Sequence, residues 1–409
     1  MSTAVYVDPS ALQRVASDLR RLGDVPQAKK YYGRLVELGE VNPSYHATGY
    51  FELAALEEDI PTKRALLDKA LERQPSHVMA GVIRKCLTDE MEARIEQNRE
   101  VLMPIFSNGF NVQIQTTSRC NATCVMCPYP GSYHDTNPNV MPEDTFEHTL
   151  RLLEGFPLRK VCLYLNNEPF LDKNLVEKIR RIKGRLTFDH IEISTNGSGF
   201  TDKNIQALCE ALEGTRHEIW YSWHGVSKEV YERVMGLNWD QNVRRLQAYL
   251  RITQGRLKTI FRTITGGRLH IDEQYSTRDE AERFFREQIT AAGLDVSNRN
   301  LVISPFTFHD RAGSVTFYGK RAPHVAAMVG SLKPECWRLY EWLHIVDDAT
   351  VILCCMDFNK ETVTVDIRDY DRLEDLLNAP PIALLRNQAL GRVESPPNFI
   401  CKRCTSPGG

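Results

Sequence analysis

The 409-residue chain has no apolar run near the roughly 20 residues that a membrane-spanning helix requires, so no membrane association is expected. Its first residues lack a basic segment followed by an apolar stretch, which argues against a secretory signal peptide. The formal net charge is only −2, so no basic excess indicates nucleic-acid binding. Eleven cysteines without an export signal favour metal or redox chemistry over disulfides, and we expect a cytoplasmic protein.

Residues 1–105 are predicted to form a helical region, because apolar residues recur there at helical spacing. The segments 28–38 and 64–73 resemble each other, and the prolines that follow them, Pro43 and Pro75, lie 32 residues apart. This step is close to the 34-residue tetratricopeptide period, so the region resembles about two such repeats. It could recruit a peptide or partner protein, or it could simply be a helical cap on a catalytic domain.

Residues 106–315 alternate predicted strands with predicted helices, which indicates an α/β domain with a parallel sheet. Residues 316–409 are predicted to form a linker and a small cysteine-bearing domain. The predicted strands are 110–117, 160–165, 190–195, 218–223, 258–264 and 300–306, and the predicted helices are 142–155, 173–183, 202–213, 227–234, 240–253 and 278–292.

Three cysteines, Cys120, Cys124 and Cys127, follow the first predicted strand with the spacing C-x3-C-x2-C. Cube-type 4Fe–4S clusters usually have four cysteine ligands, so three thiolates leave one iron open to a substrate. The alternative is a structural zinc site, which requires four ligands and would take His134 or Asp135 as the fourth.

The cysteine motif resembles that of the radical S-adenosylmethionine (SAM) enzymes, whose pattern is C-x3-C-x-aromatic-C. Met126 replaces the aromatic residue, and a methionine followed by Cys127-Pro128 is similar to the subgroup with SPASM or twitch C-terminal domains. The resemblance implies a partial (β/α)6 barrel with a 4Fe–4S cluster that reduces bound SAM. The resulting 5′-deoxyadenosyl radical abstracts a substrate hydrogen, and Met126 and Tyr129 are expected to be cofactor-binding residues of the cluster loop.

The resemblance also assigns SAM contacts to the ends of later strands. Leu165 to Pro169 is similar to the family's Gly-Gly-Glu-Pro loop, so Asn166 and Glu168 are expected to bind the SAM ammonium with acceptor oxygens. Three further expected contacts are Asn196 in a Thr-Asn-Gly sequence, Ser222 after the fourth strand and Arg262 in the fifth.

The residues after the fourth and sixth strands are candidates for contacts with substrate. His224 and Asp310 are candidate bases, although His224 could equally cap a loop. Arg311 is an expected contact to SAM or substrate, on the resemblance to SPASM-type relatives.

A second group of cysteines lies near the C-terminus, around a predicted hairpin at 343–353. This order resembles a twitch domain with one auxiliary 4Fe–4S cluster, and a four-cysteine zinc site fits the same residues. The choice between Cys354 and Cys355 is open, and the unused thiol, taken as Cys355, is a candidate hydrogen-atom donor. The expected auxiliary ligands are Cys336, Cys354, Cys401 and Cys404.

The leading functional hypothesis is a radical SAM dehydrogenase of a sugar, aminocyclitol or nucleoside-type small molecule. A redox-neutral epimerase and a peptide-modifying maturase are the alternatives among enzymes, and a repeat-based interaction protein with a vestigial metal site is the non-enzyme alternative. The two expected 4Fe–4S clusters require an electron donor such as flavodoxin or ferredoxin.

Overall fold

The computed structural model describes residues 8–38, 43–265, 275–306, 312, 336 and 338–404. The chain divides into two compact units, which are described separately. The first unit comprises 1–110, 154–159 and 186–189, and the second comprises 111–153, 160–185 and 190–409.

The first unit contains seven described helices, as the sequence predicts for this region. Asp8, Asp24 and Asp59 each cap a helix by accepting a backbone N–H, and each helix has a proline in its first turn. The two segments that resemble each other lie in α2 and α4, and the tetratricopeptide likeness stays a prediction. The helices are α1 Pro9–Arg21, α2 Val25–Glu37, α3 Pro43–Ala55, α4 Ile60–Arg73, α5 Val78–Cys86, α6 Asp89–Gln97 and α7 Arg99–Asn108.

One lysine lies in the interior of this helical unit. The Lys63 side chain is fully buried and donates to the Ala54 carbonyl oxygen at 2.6 Å and to the Ser107 hydroxyl at 3.4 Å. Burial lowers the pKa of Lys63 to about 8, because removing the ammonium from water disfavours its charged form.

The nine described strands form one sheet in the order β6-β5-β4-β3-β2-β1-β7-β8-β9. The pairs β3–β4, β4–β5 and β5–β6 are parallel, as predicted. The predicted hairpin is the antiparallel pair β7–β8. The strands are β1 Phe110–Ile114, β2 Pro157–Cys162, β3 Thr187–Thr195, β4 Arg216–Ser222, β5 Thr259–Ile264, β6 Leu301–Phe306, β7 Trp342–Ile345, β8 Thr350–Ile352 and β9 Val363–Asp366.

The sequence did not predict that the hairpin extends the same sheet. Strand β7 pairs in parallel with β1, with Gln113 opposite His344. The C-terminal cysteine region is therefore attached directly to β1, the strand that precedes the first cysteine motif. The domain boundaries at 105/106 and 315/316 stay predictions.

All six predicted helices between the strands are present, each displaced by at most a few residues. Thr201 and Thr277 begin two of them with capping boxes, which fix their start points. No helix in the described ranges is long and apolar enough to cross a membrane. The helices are α8 Tyr133–Thr136, α9 Glu143–Leu153, α10 Leu175–Arg185, α11 Asp202–Leu212, α12 Lys228–Met235, α13 Trp239–Thr253, α14 Arg278–Ala291, α15 Arg338–Glu341, α16 Leu373–Leu377, α17 Pro380–Ala389 and α18 Ile400–Arg403.

Candidate functional site

A cleft with an empty volume of about 760 Å³ opens at the carboxyl ends of strands β3 to β6. The loop after β1 brings Cys120, Cys124 and Cys127 together on one wall of this cleft. The remaining lining residues are Ala122, Met126, Asn167, Glu168, Ser194, Thr195, Asn196, Ser222, His224, Met235, Ile264 and Phe306.

The three thiols are held in surroundings that disfavour their ionisation. Burial, and then the negative charges of Glu168 and Cys127, raise the pKa of Cys120 to about 12. Burial and the charges of Cys127 and Cys120 raise the pKa of Cys124 well above its usual value. Three thiolates this close together repel one another, so a bound cationic iron–sulfur cluster suits this donor set.

The cysteine loop is anchored to helix α12 by backbone hydrogen bonds. The Thr123 amide donates to the Met235 carbonyl oxygen at 3.0 Å, and the Val125 amide donates to the Val234 carbonyl oxygen at 2.9 Å. Gly236 ends the helix at φ 67°, and a Cβ atom there would lie 1.9 Å from the Thr123 hydroxyl oxygen. Only glycine fits this close approach, which fixes the cysteine loop against the helix end.

Glu168 is a fully buried carboxylate at the inner wall of the cleft. Its oxygens accept hydrogen bonds from the Thr195 hydroxyl at 2.6 Å, the Asn196 amide at 2.6 Å and the Phe170 amide at 3.1 Å. Burial raises the pKa of Glu168 to about 7, although all three donors act to lower it. The Glu168 amide donates to the Arg119 carbonyl oxygen at 2.9 Å, which ties this loop to the start of the cysteine motif.

Two of the other expected SAM contacts also lie on the cleft wall. The Asn196 side chain donates to the Asn121 carboxamide oxygen at 3.3 Å and accepts from the Ser198 amide at 2.8 Å. Ser222 ends β4 and is paired in register with Arg262 on β5. The structure thus brings Asn196 and Ser222 to the cysteine motif, as the resemblance implies.

The candidate base His224 lines the cleft with one ring nitrogen already engaged. Its Nδ1 accepts a hydrogen bond from the Ile264 amide at 3.2 Å, and its ring packs edge-on against Phe306. A neutral imidazole that accepts at Nδ1 carries its proton on Nε2. In this arrangement His224 is a hydrogen-bond donor rather than a proton acceptor.

Two predicted cofactor residues occupy other positions. Asn166 is absent from the cleft wall, because its amide donates to the Gln115 side-chain oxygen at 2.9 Å and its side chain donates to the Asp357 carbonyl oxygen at 3.3 Å. Asn167, the next residue in the loop, lines the cleft instead. The Tyr129 hydroxyl accepts from the Cys120 amide at 2.9 Å, so it supports the cysteine loop from behind.

The predicted arginine contacts are only partly described by the structure. The Arg262 guanidinium lies over the rings of Trp220 and Phe306, with its carbon atom 4.7 and 4.5 Å from their centroids. This cation–π clamp holds Arg262 next to the cleft, since Phe306 lines it. Asp310 and Arg311 lie outside the described residues.

Several cleft residues were not predicted from the sequence. Their position in the sequence could have predicted them, because most of them end a strand or directly follow a predicted site residue. The residues are Asn167, Ser194, Thr195, Met235, Ile264 and Phe306.

The C-terminal cysteines lie together in the second unit. Burial, and then the charges of Cys404 and Cys336, raise the pKa of Cys401 to about 12. Cys401 also packs in one apolar cluster with Cys354, Cys355 and Cys404, around Met356 and Ile400. The four predicted auxiliary ligands are therefore brought close to one another by the fold.

The Cys354-Cys355 pair lies directly after β8, at the start of a turn. A hydrogen bond with the Cys355 thiol, burial, and then the charges of Cys355 and Cys401 raise the pKa of Cys354. The Cys355 thiol also lies 3.7 Å from an Arg338 nitrogen, and its charge raises the pKa of Cys162 on β2. Both thiols therefore belong to the C-terminal cysteine cluster, and Cys355 in addition contacts Arg338.

The sheet face that meets the cleft is polar. Ser194 lines the cleft, so Glu192, two residues earlier on β3, points to the same face. Glu192 is buried, accepts from the Tyr164 hydroxyl and pairs with the Lys160 ammonium at 2.5 Å. His190 and Glu218 place ligand atoms within 4.8 Å of Glu192, but Lys160 already neutralises that carboxylate. We therefore interpret these residues as a polar cluster held by an ion pair, and not as a second metal site.

Comparison with known proteins identifies the domain that carries the cleft. Residues 114–276 match the family model of the radical SAM superfamily. The chain is 33% identical over 101 residues to a GTP 3',8-cyclase from Limosilactobacillus fermentum, which is 24% of this chain and 30% of that protein. A GTP 3',8-cyclase from Desulforamulus reducens is 27% identical over 92 residues, or 22% of this chain and 28% of that protein. The chain thus matches less than a third of the length of these curated relatives.

A solved structure with a TM-score above 0.5 shares this fold. Streptococcus suis SuiB bound to the precursor peptide SuiA has a TM-score of 0.52 at 14% identity, covering 83% of each chain. BtrN in complex with AdoMet and 2-DOIA has a TM-score of 0.45 at 16% identity, covering 72% of this chain and 92% of that one. The family implies a 4Fe–4S cluster and SAM, and the three thiols of the cleft fit that cluster. Residues 114–276 of this chain are therefore a radical SAM superfamily domain.

Proposed function

We propose that this protein is a radical SAM dehydrogenase of a polar small molecule, such as a sugar, aminocyclitol or nucleoside. The observation that carries the proposal is the convergence of Cys120, Cys124 and Cys127 with Glu168 in one cleft. Three thiols leave one iron of a cube without a protein ligand, and a buried carboxylate stands beside them to receive an ammonium group.

The residues of the cleft have distinct proposed tasks toward SAM. Glu168 holds the ammonium, since a carboxylate with three donors around it is fixed in position. Asn196 and Ser222 present polar groups to the ribose and the amino-acid moiety, and Arg262 lies near enough to the wall to pair with the carboxylate. When bound, the cluster and SAM supply a reductant and a radical that abstracts hydrogen.

We propose that the second cysteine group holds an auxiliary 4Fe–4S cluster, with Cys336, Cys354, Cys401 and Cys404 as ligands. The mutual influence of these thiols on their pKa values supports the assignment. Four thiolates saturate a cube, so this centre binds no SAM and suits an electron-accepting role. A reduced flavodoxin or ferredoxin is the proposed electron donor for the first cluster.

Polar residues on the sheet face that carries Ser194 favour a hydroxylated substrate over an apolar one. Glu192, Tyr164 and Lys160 bond to one another on this face, next to the residues that line the cleft. His224 lines the cleft and is the proposed contact to a substrate hydroxyl. Asp310 stays the candidate base.

The proposal is tested by anaerobic reconstitution with iron and sulfide, followed by SAM and dithionite. We expect 5′-deoxyadenosine to form, and to form faster when a true substrate is added from panels of sugars, aminocyclitols and nucleosides. Cys124→Ala is the matched negative control, because it removes one thiol of the cleft. A wild-type protein that binds zinc at this site and never cleaves SAM contradicts the proposal.

An epimerase is the second candidate, favoured by the surroundings of Cys355. This thiol packs with the other C-terminal cysteines and also contacts Arg338, and we propose that it returns a hydrogen atom to the substrate radical. Product analysis in deuterated water separates the two reactions. One solvent deuteron at an inverted carbon supports epimerisation, and an oxidised carbonyl product supports dehydrogenation.

Peptide modification is a third candidate, supported by the helical first unit and by the fold shared with a peptide-bound enzyme. Under this hypothesis the helical region recruits the peptide. Deleting residues 1–105 would then abolish turnover of a peptide substrate but spare turnover of small molecules.

A further inference from the structure

A buried carboxamide stands at the junction of three segments of the site. Gln115 directly follows β1, is fully buried, and its backbone amide donates to the Ile345 carbonyl oxygen at 2.9 Å. Its side-chain oxygen accepts from the Asn166 amide at 2.9 Å. Its side-chain nitrogen donates to an Asp347 carboxylate oxygen at 2.7 Å and lies 3.2 Å from His134 Nδ1.

Each partner of Gln115 belongs to a different part of the site. Asn166 is two residues before Glu168 in the cleft loop, and His134 lies in helix α8, which follows the cysteine motif. Asp347 lies in the turn of the β7–β8 hairpin that precedes Cys354. One side chain therefore holds three segments that are far apart in sequence.

The hydrogen-bonding pattern is specific for a carboxamide. Burial lowers the pKa of His134 to about 4, so the ring is neutral near pH 7 and its Nδ1 can accept. Gln115 thus uses both N–H groups and its oxygen at once, which neither a carboxylate nor an apolar side chain can do. Each buried polar group left without its partner would be destabilising.

A hydrogen bond from the Asn166 side chain joins the cleft loop to the C-terminal cysteine group. The Asn166 side chain donates to the Asp357 carbonyl oxygen at 3.3 Å, and the Asp357 amide donates to the Cys354 carbonyl oxygen at 3.0 Å. The Asp357 carboxylate accepts from the Thr362 amide at 2.7 Å, which fixes this turn. The cleft loop is therefore tied on one side to Gln115 and on the other to the Cys354 turn.

We propose that Gln115 is a positioning residue, which fixes the Glu168 loop against the cysteine loop and the C-terminal hairpin so that Glu168 can receive the SAM ammonium. Gln115 does not line the cleft, so we assign it no contact with substrate. The inference rests on the proposed function, because it assigns Glu168 its role in SAM binding.

The test exchanges the polarity of the junction. Gln115→Glu removes both donors and places a second carboxylate against Asp347. The double variant Gln115→Glu/Asp347→Asn restores the hydrogen bonds. The introduced amide donates to the introduced carboxylate, which still accepts from the Asn166 amide. His134 can also donate to that carboxylate after moving its proton to Nδ1. Thr259→Val is the control. Thr259 is buried and begins β5, whereas Ile264 at the other end of that strand lines the cleft. Its hydroxyl bonds to the Tyr249 hydroxyl at 2.8 Å.

SAM affinity is measured by equilibrium dialysis on reconstituted protein, and the melting temperature is measured on cluster-free protein. We expect Gln115→Glu to weaken SAM binding about tenfold to a hundredfold, the double variant to recover most of it, and Thr259→Val to lower the melting temperature with little change in affinity.

Unchanged SAM affinity in Gln115→Glu overturns the inference alone, as does an affinity loss in Thr259→Val that matches its loss of stability. If Gln115→Glu fails to fold, the double variant decides, and a folded double variant with weak SAM binding overturns the inference. A wild-type protein that binds no SAM overturns the proposed function, and this inference with it.

Discussion

The Thr195 hydroxyl donates a hydrogen bond of 2.6 Å to the buried Glu168 carboxylate. Thr195 is the last residue of β3, and Glu168 lies 27 positions earlier in the loop that follows β2. Both residues line the cleft. This bond opposes the effect of burial, which raises the pKa of Glu168 to about 7. Thr195 therefore helps to keep charged the group that we assign to the SAM ammonium.

We predict that Thr195→Val weakens SAM binding about tenfold, because the carboxylate loses a donor and its pKa rises further. Equilibrium binding of SAM by the reconstituted variant checks this. Thr149→Val is the control, since Thr149 is buried and its hydroxyl bonds within its own helix to the Thr145 carbonyl oxygen at 2.9 Å. Equal losses of affinity in both variants would contradict the role of Thr195.

Iron analysis tests the first cysteine site. We predict about eight irons per reconstituted wild-type chain, and about four in Cys124→Ala, because the cube in the cleft is lost while the second remains. Cys209→Ala is the control, because Cys209 is buried in helix α11, away from either group. Zinc in place of iron in the wild-type protein would argue for structural sites.

The Cys354-Cys355 pair gives a sharper prediction for the second site. A hydrogen bond with Cys355, burial, and then the charges of Cys355 and Cys401 raise the pKa of Cys354, whereas the Cys355 thiol also contacts Arg338. We therefore expect Cys354→Ala to lose about four irons and Cys355→Ala to keep them. The reverse result would make Cys355 the ligand and remove it as a hydrogen-atom donor.

The buried Lys63 predicts a pH-dependent stability. Its pKa is about 8 in the folded protein against 10.5 for an ordinary lysine, so between these values the unfolded chain holds more protons. Stability from this group is therefore fully present above pH 10.5 and is lost as pH falls through 8. Relative to Lys63→Met, the wild-type unfolding free energy should rise by about 3 kcal/mol over this window.

Chemical denaturation of both proteins at several values from about pH 7 to about pH 11 measures this difference. A Lys63→Arg variant, whose charge is retained throughout, should show no such rise relative to Lys63→Met. A difference that is flat with pH would mean that Lys63 titrates normally.

The radical SAM prediction is confirmed because its signal is local. Cys120, Cys124 and Cys127 lie within eight residues, so their spacing alone places three thiols around one centre. Strands such as β5 and β6 were predicted within one or two residues, since alternating or continuous apolar runs between turns are a strong pattern. The placement of Asn166 was not readable in this way, because its partners Gln115 and Asp357 are 51 and 191 positions away.

The sequence by itself determined the cysteine triad, the strand and helix periods, and the helical first region, because each depends on residues that are neighbours along the chain. Only the tertiary structure decided that β7 pairs with β1, that Asn167 rather than Asn166 lines the cleft, and that the Cys355 thiol contacts Arg338. Those outcomes depend on which distant backbone and side-chain groups satisfy one another when buried, and no local pattern records such pairings.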